Sequence, residues 1–375
     1  MARLGNAAVT LVVAAAVLGA PAVAGAQSFD GLLHRSNRQA VRDWYPGWAA
    51  AAPGTGEVAV RTAASHAVAL AVGGEDRVAA GVVDRLARTE AAWGGQWQSP
   101  YWAGELGLAA LVLGNRAGRR TRARVRIAVR REAELLLAHD VNFFRRDGVI
   151  LTPGDTKGEE DGWRGMLLSV AAALMPRDAH RSAWLRKNRA FVVAALARPQ
   201  DTDGRYAVLL DGGSNVNADF TVTNHNVREH PDYAAALLGE TGFQLLTAAL
   251  SGRRAPCYAL MNHRRIYERL TASYAPGGLI RRPFTDVLVQ GRPPFAFALV
   301  DLQASILGYG GRPAARWQER HLAAALHPSE PWPAPYGEAW NRGVVASVAA
   351  RGVLVERLAP ALRRGLRQRC RAGSI

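Results

Sequence analysis

Lysine is nearly absent from this chain: Lys157 and Lys187 are the only two, although the formal charge is +16 over 375 residues. Arginine carries the rest, beside heavy use of Ala, Gly and Val. Two explanations fit. The charge could serve an anionic partner such as an acidic polysaccharide, nucleic acid or cell wall, or it could follow from a GC-rich genome's codons. The densest run, Arg116 to Arg131, has no interleaved aromatics of the kind that stack on bases. It reads as a solvated helix face, and no nucleic-acid partner is expected.

Cysteine is as scarce. Cys257 and Cys370 are the only pair, and neither adjoins a His-containing motif, which argues against a catalytic thiol. In an exported protein the two could form one disulfide that ties the C-terminal tail to a mid-chain helix. No nucleotide-binding glycine loop, nucleophile elbow or H-E-x-x-H zinc motif occurs, so phosphoryl transfer, serine-hydrolase and metalloprotease chemistry are set aside. Strand signals are almost missing. No internal repeat of the common solenoid kinds appears. After the first residues, no apolar run is long enough to cross a membrane.

The first residues do carry a signal. Arg3 precedes an apolar run from Ala7 to Ala20, Pro21 breaks it, and Ala24-Gly25-Ala26 supplies a small-x-small cleavage pattern. Residues 1–26 are expected to be a signal peptide, and the protein to be secreted or extracytoplasmic without stable membrane insertion after cleavage. An uncleaved anchor is the alternative, but the run is short for it. Residues 27–375 are expected to form one domain, with a monomer as the assembly.

Helical patterns then come in pairs. Glu57 to Val72 and Glu75 to Trp93 each end at glycines, the expected stop. Trp102 to Leu113 precedes the Arg-rich segment Gly118 to Asp140, with Val125, Ala128, Val129, Leu135 and Leu136 on one face. Trp163 to Met175 pairs with Ala179 to Ala197. Pro231 to Leu250 pairs with Tyr258 to Tyr274, and Phe295 to Leu307 with Ala314 to Ala325. Arg342 to Ala350 and Val355 to Arg369 close the chain. Gly278 to Ile280 and Val287 to Gln290 have some extended character. Connections at one end of the pairs are long and chemically rich; those at the other are short. This pattern predicts an all-α fold, an (α/α) toroid of about five to six antiparallel helical hairpins with its functional loops on one face. An open solenoid is the runner-up.

The richest connection runs from Gly212 to Tyr233, about twenty residues without helical period. Long irregular segments inside compact domains are usually functional or disordered, and Phe220, Val222, Val227 and Tyr233 argue against disorder. Its Asn215, Asn217, Asp219, Asn224, His225, Asn226, Glu229, His230 and Asp232 concentrate hydrogen-bonding and proton-transfer groups. His225 and Tyr233 are the first candidates for proton transfer, with Asn224 able to hydrogen-bond a carboxyl group. Arg228, Arg281 and Arg282 could stabilise a phenolate. The bland alternative is that His225 and Tyr233 are struts that hold the loop.

Asp155, Glu159, Glu160 and Asp161 form a second constellation. A carboxylate pair could serve as acid and base in glycoside hydrolysis, although acids also favour a helix N-terminus for its dipole. Glu159 and Glu160 point in different directions on any helix, so at most one would face a cleft. His225, Glu229, His230 and Asp232 match no zinc spacing. Calcium could sit at the acidic loop, which lacks the EF-hand pattern; no cofactor is expected. Trp97, Tyr101, Trp102, Trp163, Trp332, Tyr336 and Trp340 lie in or beside the rich loops, where flat aromatics can stack on sugar rings or simply pack the loops down.

Signal peptide, helical frame and aromatic-rich loops together resemble the carbohydrate-active (α/α) barrels, both glycosidases and polysaccharide lyases. The nearest local likeness is to the chondroitin/hyaluronate lyase type, whose toroid carries D-G-[ST]-x-x-x-H with a Tyr eight or nine residues on. Asp219-Phe220-Thr221-Val222-Thr223-Asn224-His225 followed by Tyr233 is similar, with Phe220 where that motif has glycine. Gly158 to Trp163 looks like their W-E-x-G-x-P segment. The resemblance implies β-elimination on an acidic polysaccharide, with His225 and Tyr233 in acid–base roles. Substrate contacts are expected from the rich loops, at Trp97, Tyr101, Trp102, Asp155, Trp163, Asn215, Asp219, His230, Arg281, Arg282, Trp332 and Trp340. A glycoside hydrolase using Glu159 or Glu160, and a non-catalytic glycan-binding envelope protein, are the alternatives.

Overall fold

The computed structural model describes residues 28–275, 295–326 and 338–369. The expected signal peptide, both extended stretches, Arg281, Arg282, Trp332 and Tyr336 lie outside the described residues. The described chain is mostly helical. It begins with α1 (Phe29–Gln39), a π-helix (Ala40–Trp44) and α2 (Tyr45–Ala50). Next come α3 (Glu57–Val72), α4 (Asp76–Arg88), α5 (Glu90–Trp93), α6 (Ser99–Leu113) and α7 (Arg119–Ala138). Strands β1 (Arg145–Arg146) and β2 (Val149–Ile150) lead to α8 (Gly158–Leu174) and α9 (Arg181–Leu196). After them come α10 (Ala207–Leu210), β3 (Gly213–Ser214), α11 (Pro231–Leu250) and α12 (His263–Thr271). The described residues end with α13 (Phe295–Leu307), α14 (Gly311–Leu326) and α15 (Glu338–Arg369). The small strands pair antiparallel in the order β2-β1-β3.

Six of the described helices pack side to side in succession: α3 on α6, α6 on α8, α8 on α11, α11 on α13, α13 on α15, and α15 back on α3. A second set backs them: α4 on α3, α7 on α6, α9 on α8, α12 on α11, α14 on α13 and α1 on α15. Glycines set the register of the first set. A Cβ on Gly104 would meet Met166, and one on Gly107 would meet Val170, so α6 and α8 run the same way. Likewise Gly158 faces Leu237, Gly162 faces Glu240 and Gly165 faces Gln244, so α8 and α11 also run the same way. Their N-termini therefore share one rim. These helices are apolar nearly all round, as helices enclosed on every side must be: α3, α6 and α11 bury most of their residues.

Several expected boundaries move. The two C-terminal helices are one, α15, with Pro360 inside it. Gly352 is no stop, because it lies against the Phe29 ring, where a Cβ would come within 2.3 Å of Cγ. The expected helix at Tyr258 to Tyr274 is a 3-10 turn (Cys257–Leu260) and then α12, separated by Asn262 at φ 55°. Its side-chain amide donates to the Leu196 carbonyl at 2.9 Å and to Asp201 at 2.6 Å, which holds the left-handed bend. The helix expected from Trp163 starts already at Gly158. In α7, Val125, Ala128, Val129 and Leu136 are buried, whereas Leu135 is exposed. Arg124 and Arg131 of that helix pair with Asp84 and Glu90. Cys257 is disulfide-bonded; the chain's other cysteine, Cys370, lies outside the described residues.

Candidate active site

The irregular stretch before α11 is built by its own side chains. Asn217 donates to Thr221 Oγ1 at 3.0 Å and to Thr223 Oγ1 at 2.8 Å. Asp219 accepts from the Thr221 hydroxyl at 2.7 Å and from Arg228 at 2.9 Å. Burial works against ionisation of Asp219, but these partners hold it below the usual carboxylate range. Phe220 has φ 65°. Its ring lies between Arg198 and Arg265, at 4.3 and 5.2 Å, contacts that offset a backbone strain glycine would not incur.

His225 sits at the tip of a two-residue turn. Asn224 and Val227 exchange both backbone hydrogen bonds, at 3.0 and 2.8 Å. His225 and Asn226 between them have φ 49° and 63°. Positive φ at both central positions is the signature of a type I′ turn, normally Asn-Gly or Gly-Gly. A histidine held there is strained, and such strain clusters at functional sites. The turn exposes the imidazole and brings Nε2 to 2.8 Å from the Tyr233 hydroxyl. Tyr233 is in the first turn of α11. His230 is buried and packs edge-on against the Tyr233 ring, centroids 4.7 Å apart. Asn224 is buried; its backbone closes the turn.

The acidic segment docks on this stretch. Thr156 N–H donates to the Thr223 carbonyl at 2.9 Å, and Asn226 N–H to the Gly154 carbonyl at 2.9 Å. Lys157 bridges Asp155 at 2.7 Å and Glu160 at 2.9 Å. Burial opposes the Lys157 charge, yet these two carboxylates raise its pKa. Glu160 also accepts from Asn142 at 3.2 Å and is buried; Glu159 is half-buried. Asp161 is completely buried, and burial pushes its carboxyl well above the usual range despite Arg164 beside it. Asn215 is a buried strut. It accepts from the N–H groups of Phe144 and Lys157 and donates to the carbonyls of Asn142 and Ala194.

Four of the expected aromatics come together on the same rim. Trp163 meets Trp97 edge-on at 5.4 Å and Tyr101 at 6.4 Å. The Arg61 guanidinium lies over Tyr101 at 4.7 Å and Trp340 at 5.0 Å and donates to Gln98 at 2.9 Å. Trp97 is exposed; the other three are buried. Trp102 is elsewhere, fully buried against Trp93.

Beneath the aromatics lies a network no apolar-periodicity search finds. Glu105 accepts from Ser65 at 2.7 Å, Arg351 at 3.0 Å, Tyr101 at 3.3 Å and Ser347. Burial opposes the Arg351 charge, but Tyr101, Glu105 and Glu240 raise its pKa, so it stays cationic. The signal was present as polar pairs four apart in apolar helices: Arg61 and Ser65, Tyr101 and Glu105, Glu240 and Gln244, Ser347 and Arg351.

Among the described residues, no group of three or more His, Cys, Asp or Glu is placed to hold a metal ion, and no helix is long and apolar enough to cross a membrane. Comparison of the chain with protein-family models, with curated proteins and with solved structures finds no match.

Proposed function

We propose that this chain is an exported carbohydrate-active enzyme that cleaves an acidic polysaccharide by β-elimination, with His225 and Tyr233 as its proton-transfer pair. The observation that carries the reading is the 2.8 Å contact between His225 Nε2 and the Tyr233 hydroxyl, presented on a strained, exposed turn. A base and an acid within hydrogen-bond reach of each other are what a concerted proton relay needs. The succession of helices that returns from α15 to α3, backed by a second set, supports reading the all-α fold as an (α/α) toroid of six hairpins. Phe220 at positive φ, where the resembled lyase motif has glycine, supports that likeness.

In the reaction, one member of the pair removes the proton alpha to the uronic carboxyl group. The electron pair left on that carbon forms the new carbon–carbon double bond as the bond to the glycosidic oxygen breaks. The other member protonates that leaving oxygen. Tyrosine is a poor base at its ordinary pKa of about 10, which makes the adjacent imidazole necessary. The exposed Trp97, held edge-on by the buried Trp163, suits a sugar ring. Arg61 and Arg228 are the described cations that suit its carboxylate.

The test is turnover on a panel of acidic and neutral polysaccharides, following ultraviolet absorbance of unsaturated ends together with new reducing ends. Both signals rising on an acidic substrate supports elimination. Reducing ends without absorbance would replace it with hydrolysis at the acidic segment. Neither signal across the panel, with retained glycan affinity, would leave a binding protein.

A further inference from the structure

Two acids face each other beneath the turn that carries Trp97. Glu90 lies on α5 and Glu132 on α7, and only 5% and 1% of them are exposed. A Cβ on Gly94 would collide with Glu90 Oε1 and with Glu132 Oε1 at once, so both oxygens converge above that glycine. The two carboxyl groups are within hydrogen-bond reach of each other.

Glu132 is fully engaged with the turn. Its Oε1 accepts from the Gly95 N–H at 2.8 Å, and its Oε2 accepts from the Ser99 hydroxyl. These bonds hold both ends of the segment from Gly95 to Ser99, with Trp97 at its middle. Trp97 is the exposed aromatic of the rim, edge-on to Trp163, and its neighbour Gln98 accepts from Arg61.

Glu90 is different. Its Oε2 pairs with the exposed Arg131 at 3.3 Å, while its Oε1 is buried with no hydrogen-bond partner. A buried polar atom without a partner is costly and rare. Two carboxylate oxygens cannot hydrogen-bond each other, but a carboxylic acid can donate to a carboxylate. A proton on Glu90 Oε1 therefore gives that atom its partner, as happens where two carboxyl groups share one place. Burial pushes the Glu90 carboxyl above its ordinary value; Arg131 opposes this and Glu132 adds to it. Charged groups on the neighbouring helices are engaged elsewhere. On α4, Arg85 donates to the carbonyls of Trp48, Ala49 and Ala51, and Arg88 pairs with Asp84. On α6 the charged residue is Glu105, bound by Arg351.

We propose that Glu90 and Glu132 share one proton that latches the Trp97 turn, and that ionisation of Glu90 releases it. With the proton in place, α5, α7 and the turn are tied at one point. Without it, two like charges face each other where water is excluded. Glu132 is fixed on the twenty-residue α7. The four-residue α5 runs directly into Gly94, so α5 and the turn give way while Glu90 keeps Arg131. Above the ordinary value of 4.5 the folded chain holds a proton that the unfolded chain releases. The latch is therefore complete at low pH and is lost as pH rises through the raised folded value. The proposal does not rest on the chemistry assigned to the rim.

Amide hydrogen exchange on the full chain tests it between about pH 4.5 and pH 8, read on the peptide that spans the turn. Rates are corrected for the intrinsic pH dependence of exchange. In the wild type, protection of the turn should fall at least tenfold across that range while a peptide from α9 holds steady. Glu90→Gln, whose amide donates to Glu132 at every pH, should keep the turn protected throughout. Glu132→Gln removes the like charge and keeps an acceptor for the Gly95 N–H, so it should flatten the profile as well. The proposal is overturned by a wild-type turn whose protection does not change with pH. It is overturned equally by either folded variant repeating the wild-type profile, or by a folded Glu90→Gln chain whose turn is open at every pH, as loss of a simple strut would leave it.

Discussion

His225 Nε2 reaches the Tyr233 hydroxyl at 2.8 Å only because His225 occupies a left-handed turn position, φ 49°. That geometry sets function against stability at one residue. A non-glycine residue in this region costs about 1 kcal/mol or more. His225→Gly should leave the melting temperature unchanged or raise it. Turnover on the best substrate of the panel should fall by roughly 100-fold or more, the usual contribution of a positioned acid or base. A variant that melts lower and keeps its turnover would make His225 a strut.

The Glu105–Arg351 pair ties α6 to α15 at 3.0 Å, with both side chains buried. Removing one partner strands the other charge, at a cost of about 3–5 kcal/mol. Glu105→Gln should lower the unfolding free energy by an amount in that range, read as a lower denaturation midpoint at unchanged slope. A shift no larger than that of a surface substitution would contradict the network's structural role.

Gly352 sits against the Phe29 ring, so α15 and α1 approach closely there. Gly352→Ala places a methyl group into that ring and should destabilise by about 1–3 kcal/mol, although alanine is the better helix former. Combining it with Phe29→Leu should recover part of the loss. Thermal melts of the two single variants and the double variant decide it: additive losses would contradict the contact.

Buried histidines and buried carboxyls pull in opposite directions in the response to pH. Burial lowers His66 and His263 to about 4. Between about pH 6.5 and 4 the unfolded chain binds their protons and the folded chain does not, so stability falls as pH falls. Glu356 is raised to about 7 by burial, with Asp30 adding to the effect. Between about pH 4.5 and 7 its folded form holds a proton that the unfolded form releases, so its contribution falls as pH rises. Glu356→Gln should stabilise at pH 8 and have little effect at pH 4.5. A Glu356→Gln midpoint that moves equally at both values would contradict the assignment.

Much of the helical frame was legible because glycine and proline mark its ends. Glu57 to Val72 and Pro231 to Leu250 coincide with α3 and α11. The joined C-terminal helix was not, because a glycine that stops a helix and one that admits a neighbouring ring look alike in sequence. The pairing of His225 with Tyr233 was readable through the likeness of their spacing to the lyase motif, with Tyr233 in the first turn of α11. The Arg61–Tyr101–Trp340 contact and the Glu90–Glu132 pair were not, since they join residues from distant parts of the chain. Asn215 shows the converse. A polar residue in a rich loop invites a binding role, yet its amide ties three backbone segments together.

The central claim is proton transfer through Tyr233, and the most direct measurement is the initial rate of unsaturated-product absorbance for wild type and Tyr233→Phe on the same acidic polysaccharide. Removing one hydroxyl leaves the ring packed against His230, so both proteins should melt alike. The account predicts that absorbance falls by roughly 100-fold or more. An equal rate in the folded variant would contradict it.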